Sequence, residues 1–347
     1  MRRARGFTIV EILVSLALAG LLAAGALQMY SAFNRQGVRQ QQIAEMQQSL
    51  RVADQVLARV LRGAGAGLSG GLLSVTTCTA GTVNYFPIQF SNSNVYTDLP
   101  KTSFDSTVGG ADPDPDWIRV VGSVPGDFAP VTDDNGANLS NVCDTSKFQV
   151  GDYFVVVNRS SDPAQRFSCL RLITQITSAG GKKCGPNSGG LQHNPGQGQC
   201  VNPPPGQDDC LRNTTFPTVV FRASNQMAVF RIDNTTSPGT PRLMVSYSPP
   251  GQPAAWRVVA DNIEDLQIAL ILANGALCDS IDDPLLCDPR QARMVRYTLV
   301  ARSSSPVPGF NLGRAGGFED EPTSATSDGY LRRSVTSVIQ LRNLEQQ

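Results

Sequence analysis

The chain has 347 residues, 41% of them hydrophobic and 17% charged, with 32 Gly, 23 Pro and 8 Cys. That length suffices for one large or two ordinary domains with real cores, and the hydrophobic share excludes a disordered polymer. Twenty-nine basic residues balance twenty-nine acidic ones, which argues against a protein built to hold nucleic acid through phosphates. The single histidine, His193, excludes a site that needs two histidine ligands.

The chain opens on a basic tip, residues 1–6, carrying Arg2, Arg3 and Arg5. Residues 7–27 are then almost entirely apolar, long enough to cross a bilayer core of about 30 Å at about 1.5 Å per residue. The arginines predict that the tip stays in the cytoplasm and the rest lies outside. Glu11 breaks the apolar run. A carboxylate there costs several kcal/mol, roughly, in hydrocarbon unless it finds a partner. A plain anchor or signal peptide has no use for it.

Gly6-Phe7-Thr8-Ile9-Val10-Glu11 resembles the processing motif of type IV prepilins and of type II secretion pseudopilins. The resemblance implies cleavage by a prepilin peptidase between Gly6 and Phe7 and N-methylation of Phe7. It also implies that Glu11 pairs with the N-terminal amine of a neighbouring subunit. A secondary amine stays cationic at neutral pH, and removing one member of a buried pair costs about 3–5 kcal/mol. Such a pair is strong enough to set register between subunits.

Residues 28–62 read as the continuation of the same helix. Ile43, Met46, Leu50, Ala53, Leu57 and Val60 recur at spacings of three and four, one apolar stripe among polar residues. A stripe this short is expected to pack on the protein's own sheet rather than in a coiled coil. From 7 to 62 a continuous helix would be roughly 84 Å long. Gly20, Gly25 and Gly37 are expected weak points in it. A helix that is lipid-like first and amphipathic later resembles the pilin spine.

Residues 63–74 form a Gly-rich joint. Gly65, Gly67 and Gly70 match G-x-G-x-x-G formally, but a helix precedes them, where the dinucleotide motif requires a strand. The segment reads as a helix terminator and flexible joint. Arg62-Gly63-Ala64-Gly65 also resembles the end of the spine in larger minor pilins.

Residues 75–347 are expected to form a β-rich head outside the cytoplasm. Strands are predicted at 117–121, 148–157, 169–176, 218–223, 227–232, 242–247, 266–272, 294–302 and 334–342. Their spacing points to antiparallel sheet, so the fold class is α+β: a long helix packed on a sheet head. Two long loops are expected, at 178–211 and 303–329. Residues 258–272, 292–303 and 332–344 sharpen the resemblance: the last of them is similar to the closing strand of PilW-type minor pilins, relatives of the J-type minor pseudopilins of type II secretion. The resemblance covers the two ends of the chain, and 72–247 aligns with nothing in the family.

The eight cysteines, Cys78, Cys143, Cys169, Cys184, Cys200, Cys210, Cys278 and Cys287, all follow the apolar run. An even number in an exported domain suggests disulfides. Cys278–Cys287 closes a small loop between strands and is the first expected pair. Cys200–Cys210, Cys169–Cys184 and Cys78–Cys143 follow. No C-x₂₋₄-C spacing supports zinc. Asp112, Asp114 and Asp116, and Asp133, Asp134 and Asn135 before Gly136, lack the distal Glu of a full calcium loop and read as turns. His193 is expected in a solvated loop. No catalytic residue, metal or cofactor is expected.

The resemblance implies a minor type IV pilin that primes filament assembly and sits at the pilus tip. Its partners would be other minor pilins, the major pilin, the prepilin peptidase and the inner-membrane assembly platform, with no nucleic acid. It would begin as a single-pass inner-membrane protein and end at the cell surface. Two alternatives stand beside this reading: a minor pseudopilin of a type II secretion system, and a tip adhesin that binds through its loops.

Overall fold

The computed structural model describes residues 8–69, 72–77, 81–91, 115–122, 127–134, 139–158, 162, 166–178, 184–194, 201–202, 218–222, 227–234, 239–247, 254–278, 291–307 and 328–344. It begins with α1 (Ile9–Arg62), 54 residues without a break, about 81 Å long. Gly20, Gly25 and Gly37 lie within it and do not interrupt it. Each costs about 1 kcal/mol of helix propensity, too little to break a helix nucleated by long apolar and Gln-rich runs on either side.

The strands are, in order, β1 (Leu73–Thr77), β2 (Gly81–Tyr85), β3 (Ile88–Ser91), β4 (Trp117–Val121), β5 (Phe128–Asp134), β6 (Leu139–Val142), β7 (Tyr153–Asn158), β8 (Phe167–Leu172) and β9 (Gln175–Ser178). They continue with β10 (Gly189–Gln192), β11 (Thr218–Arg222), β12 (Met227–Asp233), β13 (Arg242–Ser246), β14 (Trp256–Asp261), β15 (Ile263–Leu272), β16 (Leu277–Cys278), β17 (Ala292–Arg302) and β18 (Arg332–Gln340). Three sheets result. A nine-stranded sheet runs β2-β1-β8-β7-β11-β5-β6-β10-β9, a five-stranded one β14-β13-β12-β4-β3, and a four-stranded one β16-β15-β17-β18. The pairings are antiparallel except β1 with β8. The expected α+β class is what the chain adopts.

The five-stranded sheet is the middle layer, and its period-two pattern shows why. In β12, Met227 and Val229 face the core shared with the nine-stranded sheet, while Ala228, Phe230 and Ile232 face the core under α1. In β4, Trp117 and Val121 take the first side, and Ile118 and Val120 the second. Strands buried on both faces read as continuous apolar runs, as both of these do.

The C-terminal half of α1 lies on the four-stranded sheet and on β14. Met46, Leu50, Ala53 and Leu57 are buried, and Ile43 and Val60 pack partly buried against the same core. The stripe read from the sequence therefore packs on the protein's own sheet. A polar contact accompanies it. Asp54 Oδ1 accepts from the Tyr297 hydroxyl and the Ser337 hydroxyl, both at 2.7 Å. Burial, and then the bond to Asp54, push the Tyr297 hydroxyl's pKa upward.

The helix terminates at Gly63, and the joint is anchored. Asn343 Nδ2 donates to the Arg62 carbonyl at 3.3 Å and to the Ala64 carbonyl at 3.1 Å. The Gly65 N–H donates to the Val121 carbonyl at 2.8 Å. Gly65 sits at φ +72°, where a side chain would be strained. Gly122 lets β4 approach this turn: a Cβ there would stand 2.1 Å from the Gly63 carbonyl oxygen. Gly122→Ala is expected to destabilise the head by about 3 kcal/mol, because the obstructing atom is backbone. Thermal unfolding of the head measures it, and an unchanged midpoint would refute the close approach.

The structure corrects several expectations. Residues 178–211 are not loop throughout, because β10 lies inside that stretch and pairs with both β6 and β9. Asn202 also bonds both backbone groups of Leu172, at 2.9 and 3.0 Å. The sequence 189–192 has too little β-branched content to signal a strand. Cys143 and Cys184 form a disulfide, with Cα atoms 5.1 Å apart, so neither Cys169–Cys184 nor Cys78–Cys143 forms. The reason is topological: β6 and β10 are neighbours, with Val142 opposite Gly189, and just beyond them the Thr145 N–H donates to the Asn187 carbonyl. Cys169 and Cys278 are also disulfide-bonded, with partners outside the described residues. Cys78, Cys200, Cys210 and Cys287, and with them the expected Cys200–Cys210 and Cys278–Cys287 pairs, lie outside the described residues.

Candidate functional site

Thr8 to Gln41 is exposed at every position. Large apolar side chains dominate it: Ile9, Leu21 and Leu22 are 78%, 73% and 76% exposed. The head first covers the helix at Gln42. Among the described residues, this is the single helix long and apolar enough to cross a membrane. An apolar surface of this extent marks a contact with lipid or with other helices.

Glu11 stands in this surface, in the first turn of α1. Thr8 is the N-cap, and together they form a capping box. The Thr8 N–H and hydroxyl both donate to Glu11 Oε2, at 2.9 and 3.0 Å, and the Glu11 N–H donates to Thr8 Oγ1 at 3.4 Å. Both bonds end on Oε2, and among the described residues no hydrogen bond reaches Oε1. The helix dipole also favours a carboxylate here. The spacing Thr-x-x-Glu is a capping signal that the sequence carries openly. Gly6 and Phe7 lie outside the described residues.

Other candidates resolve into structure. His193 is 1% exposed rather than solvated, with its ring 6.0 Å from that of Phe154. Asp116 is buried. Its Oδ2 accepts from the Ile268 N–H at 2.6 Å and its own N–H donates to the Leu266 carbonyl, so it joins β4 to β15 instead of forming a turn. Asp133 and Asp134 belong to β5 and pair with Asn141 and Ser140. Asp112, Asp114, Asn135 and Gly136 lie outside the described residues. Among the described residues, no three His, Cys, Asp or Glu side chains cluster as a metal site.

One charged cluster escaped the sequence reading because its members are far apart in the chain. Glu264 lies between Arg332 and Arg302, with Arg332 Nη2 at 3.3 Å and Arg302 Nη1 at 3.9 Å from Oε2. Glu264 and Arg332 are both nearly buried, at 9% and 7% side-chain exposure. Asp328 binds Arg332 from the solvent side, at 2.8 Å from Nη1. The cluster holds the base of the 303–329 segment to the four-stranded sheet. The bond from Arg332 lowers the Asp328 pKa from 3.8 to about 2. A carboxylate whose folded pKa is depressed contributes stability above its unfolded pKa and loses it as pH falls through the folded one. Stability is therefore expected to drop between pH 3.8 and about 2, and the drop should shrink in Asp328→Asn. Thermal midpoints of both proteins across that range test it, and identical slopes would refute the pair's contribution.

The comparisons with known proteins bear on the N-terminus. The prokaryotic N-terminal methylation motif matches residues 1–27. A search of curated proteins finds no match. Among solved structures, a type IV-like pilin from Thermus thermophilus is similar at 17% identity, covering 34% of this chain and 68% of that one, with a TM-score of 0.21. An overlap of that quality carries no argument about the head. The motif supports placing the chain in the type IV pilin superfamily. The chain carries an N-terminal methylation motif at residues 1–27 and an exposed apolar helix, features that fit membrane anchoring.

Proposed function

We propose that the protein is a minor type IV pilin. It is inserted in the inner membrane, cut after Gly6 by a prepilin peptidase, and N-methylated on Phe7. It then joins other minor pilins in a complex that primes filament assembly on the inner-membrane platform and sits at the pilus tip. The observation that carries this reading is the unbroken α1, which bears the methylation motif at one end and is uncovered as far as Gln41. Lateral packing of that surface with other pilin helices supplies the energy, and Glu11 supplies the register. The bulk of the head favours a rare subunit, since a filament of such heads would be hard to pack. The role is structural, with no chemistry asked of the chain beyond its own maturation.

Pili sheared from cells lacking this protein, compared with the complemented strain, test the proposal. A collapse in sheared pili is the expected result. Unchanged pili would overturn it and point to secretion of folded proteins as the next assay. Glu11→Ala is expected to leave cleavage intact and to weaken recovery with partner pilins, at a cost of about 3 kcal/mol for the lost pair. Equal co-purification of variant and wild type would remove the pairing role.

A further inference from the structure

Where the helix leaves the bilayer, a groove of about 290 Å³ lies between α1 and the 305–307 segment of the head. Its walls include Arg35, Val38, Arg39, Gln42, Pro306 and Val307. Three observations point to what fills it. First, residues 28–44 contain Arg35 and Arg39 and no Asp or Glu, so the charged side chains lining the groove are both cationic. Secondly, Arg35 folds back toward the membrane, with Nε donating to the Ser31 carbonyl at 3.3 Å. Ser31 is one turn past the apolar run, roughly 6 Å along the axis, and the headgroup layer is roughly 5–8 Å deep on each side. The guanidinium thus stands at headgroup height, on a stretch of helix that also exposes Tyr30 and Phe33. Thirdly, Gln42 is 6% exposed, and its Nε2 donates to Ser305 Oγ at 2.7 Å. Gln42 lines the groove, and its Oε1 is buried with no hydrogen-bond partner among the described residues.

We propose that this groove binds the headgroup of an anionic phospholipid bearing free hydroxyls, of the phosphatidylglycerol class. Arg35 and Arg39 take the phosphate. Gln42 Oε1 accepts from a headgroup hydroxyl, and Val38, Pro306 and Val307 cover the apolar part of the glycerol backbone. The lipid would hold the base of the head against the membrane before assembly. It would have to be released when the helix is lifted into a filament. This inference rests on the membrane-anchored reading of α1.

The test uses the full chain in bilayer nanodiscs of phosphatidylcholine containing a minority of phosphatidylglycerol. The lipid retained after mild detergent extraction is measured by native mass spectrometry. Phosphatidylglycerol is expected to be enriched over its bulk share, by about fivefold for each arginine engaged. The double variant R35Q/R39Q is expected to fall to the bulk ratio, and R51Q, on an exposed position outside the groove, to match wild type. V307N, which keeps both arginines, is expected to lose most of the enrichment. No enrichment in wild type, or equal enrichment in R35Q/R39Q or V307N, would overturn the site. Displacement by inorganic phosphate alone would also overturn it, in favour of a free-anion site. Alkaline extraction of the same samples separates the two readings. A chain that stays with the bilayer but shows no enrichment defeats only the lipid site. A chain that washes off defeats the membrane reading and the site with it.

Discussion

Gly6→Ala is expected to leave the protein at precursor length, with its arginine tip attached and Phe7 unmethylated. Two consequences follow from the charges. The amine that Glu11 is proposed to meet is never created, so the pairing is lost entirely. The tip also keeps Arg2, Arg3 and Arg5, on the cytoplasmic side in the proposed topology, and each arginine costs about 3 kcal/mol to bring to the centre of a bilayer. The uncut helix therefore resists being lifted into a filament. Intact mass and N-terminal sequencing read the first effect, and sheared pili the second. A processed N-terminus in this variant would refute the cut site. A precursor that still supports piliation would refute the need for the amine.

Glu264→Ala is expected to be the most damaging change in the described head, at about 3–5 kcal/mol, because it leaves a buried arginine without its counter-charge. Arg332 keeps Asp328, but that carboxylate is 40% exposed and is screened by solvent. Arg302 loses its carboxylate and retains the Gly239 carbonyl, at 3.1 Å, and the Tyr330 ring. Denaturant unfolding of the soluble head gives the magnitude. The double variant Glu264→Ala with Arg332→Met separates the pair from the cavity. Recovery of most of the loss in the double variant is expected, since an apolar replacement of a buried pair is often near neutral. Full additivity of the two changes would refute the coupling.

The long N-terminal helix was legible from residue types alone. The apolar run, the Glu11 within it and the three-four stripe from Ile43 to Val60 are local patterns, and a helix is a local structure whose bonds join residues four apart. The Thr8–Glu11 box was equally open to a reading of spacing. The long apolar strands, such as β4, β12, β15 and β17, were also found near their observed places, because burial on one or both faces writes itself into period two. Three of the strands that went unread, β5, β6 and β10, are short and polar or contain Pro130 and Gly189. They are strands because neighbours offer them hydrogen bonds, and their own side chains do not announce it.

What the sequence determined by itself is the N-terminal end: an apolar helix, a carboxylate set within its apolar run, and an amphipathic stripe that needs a sheet. Those follow from hydrophobic burial and charge desolvation, which depend on the residue and its near neighbours. Only the tertiary structure decided which cysteines meet, that His193 is buried, that Asp116 joins two sheets, and that Glu264 neutralises arginines that lie far along the chain. Each of those depends on strand order, and strand order is set by packing across the whole head rather than by any one segment. The joining of β6 to β10 brings Cys143 to Cys184 across 41 residues, a proximity that no count of intervening residues could have supplied.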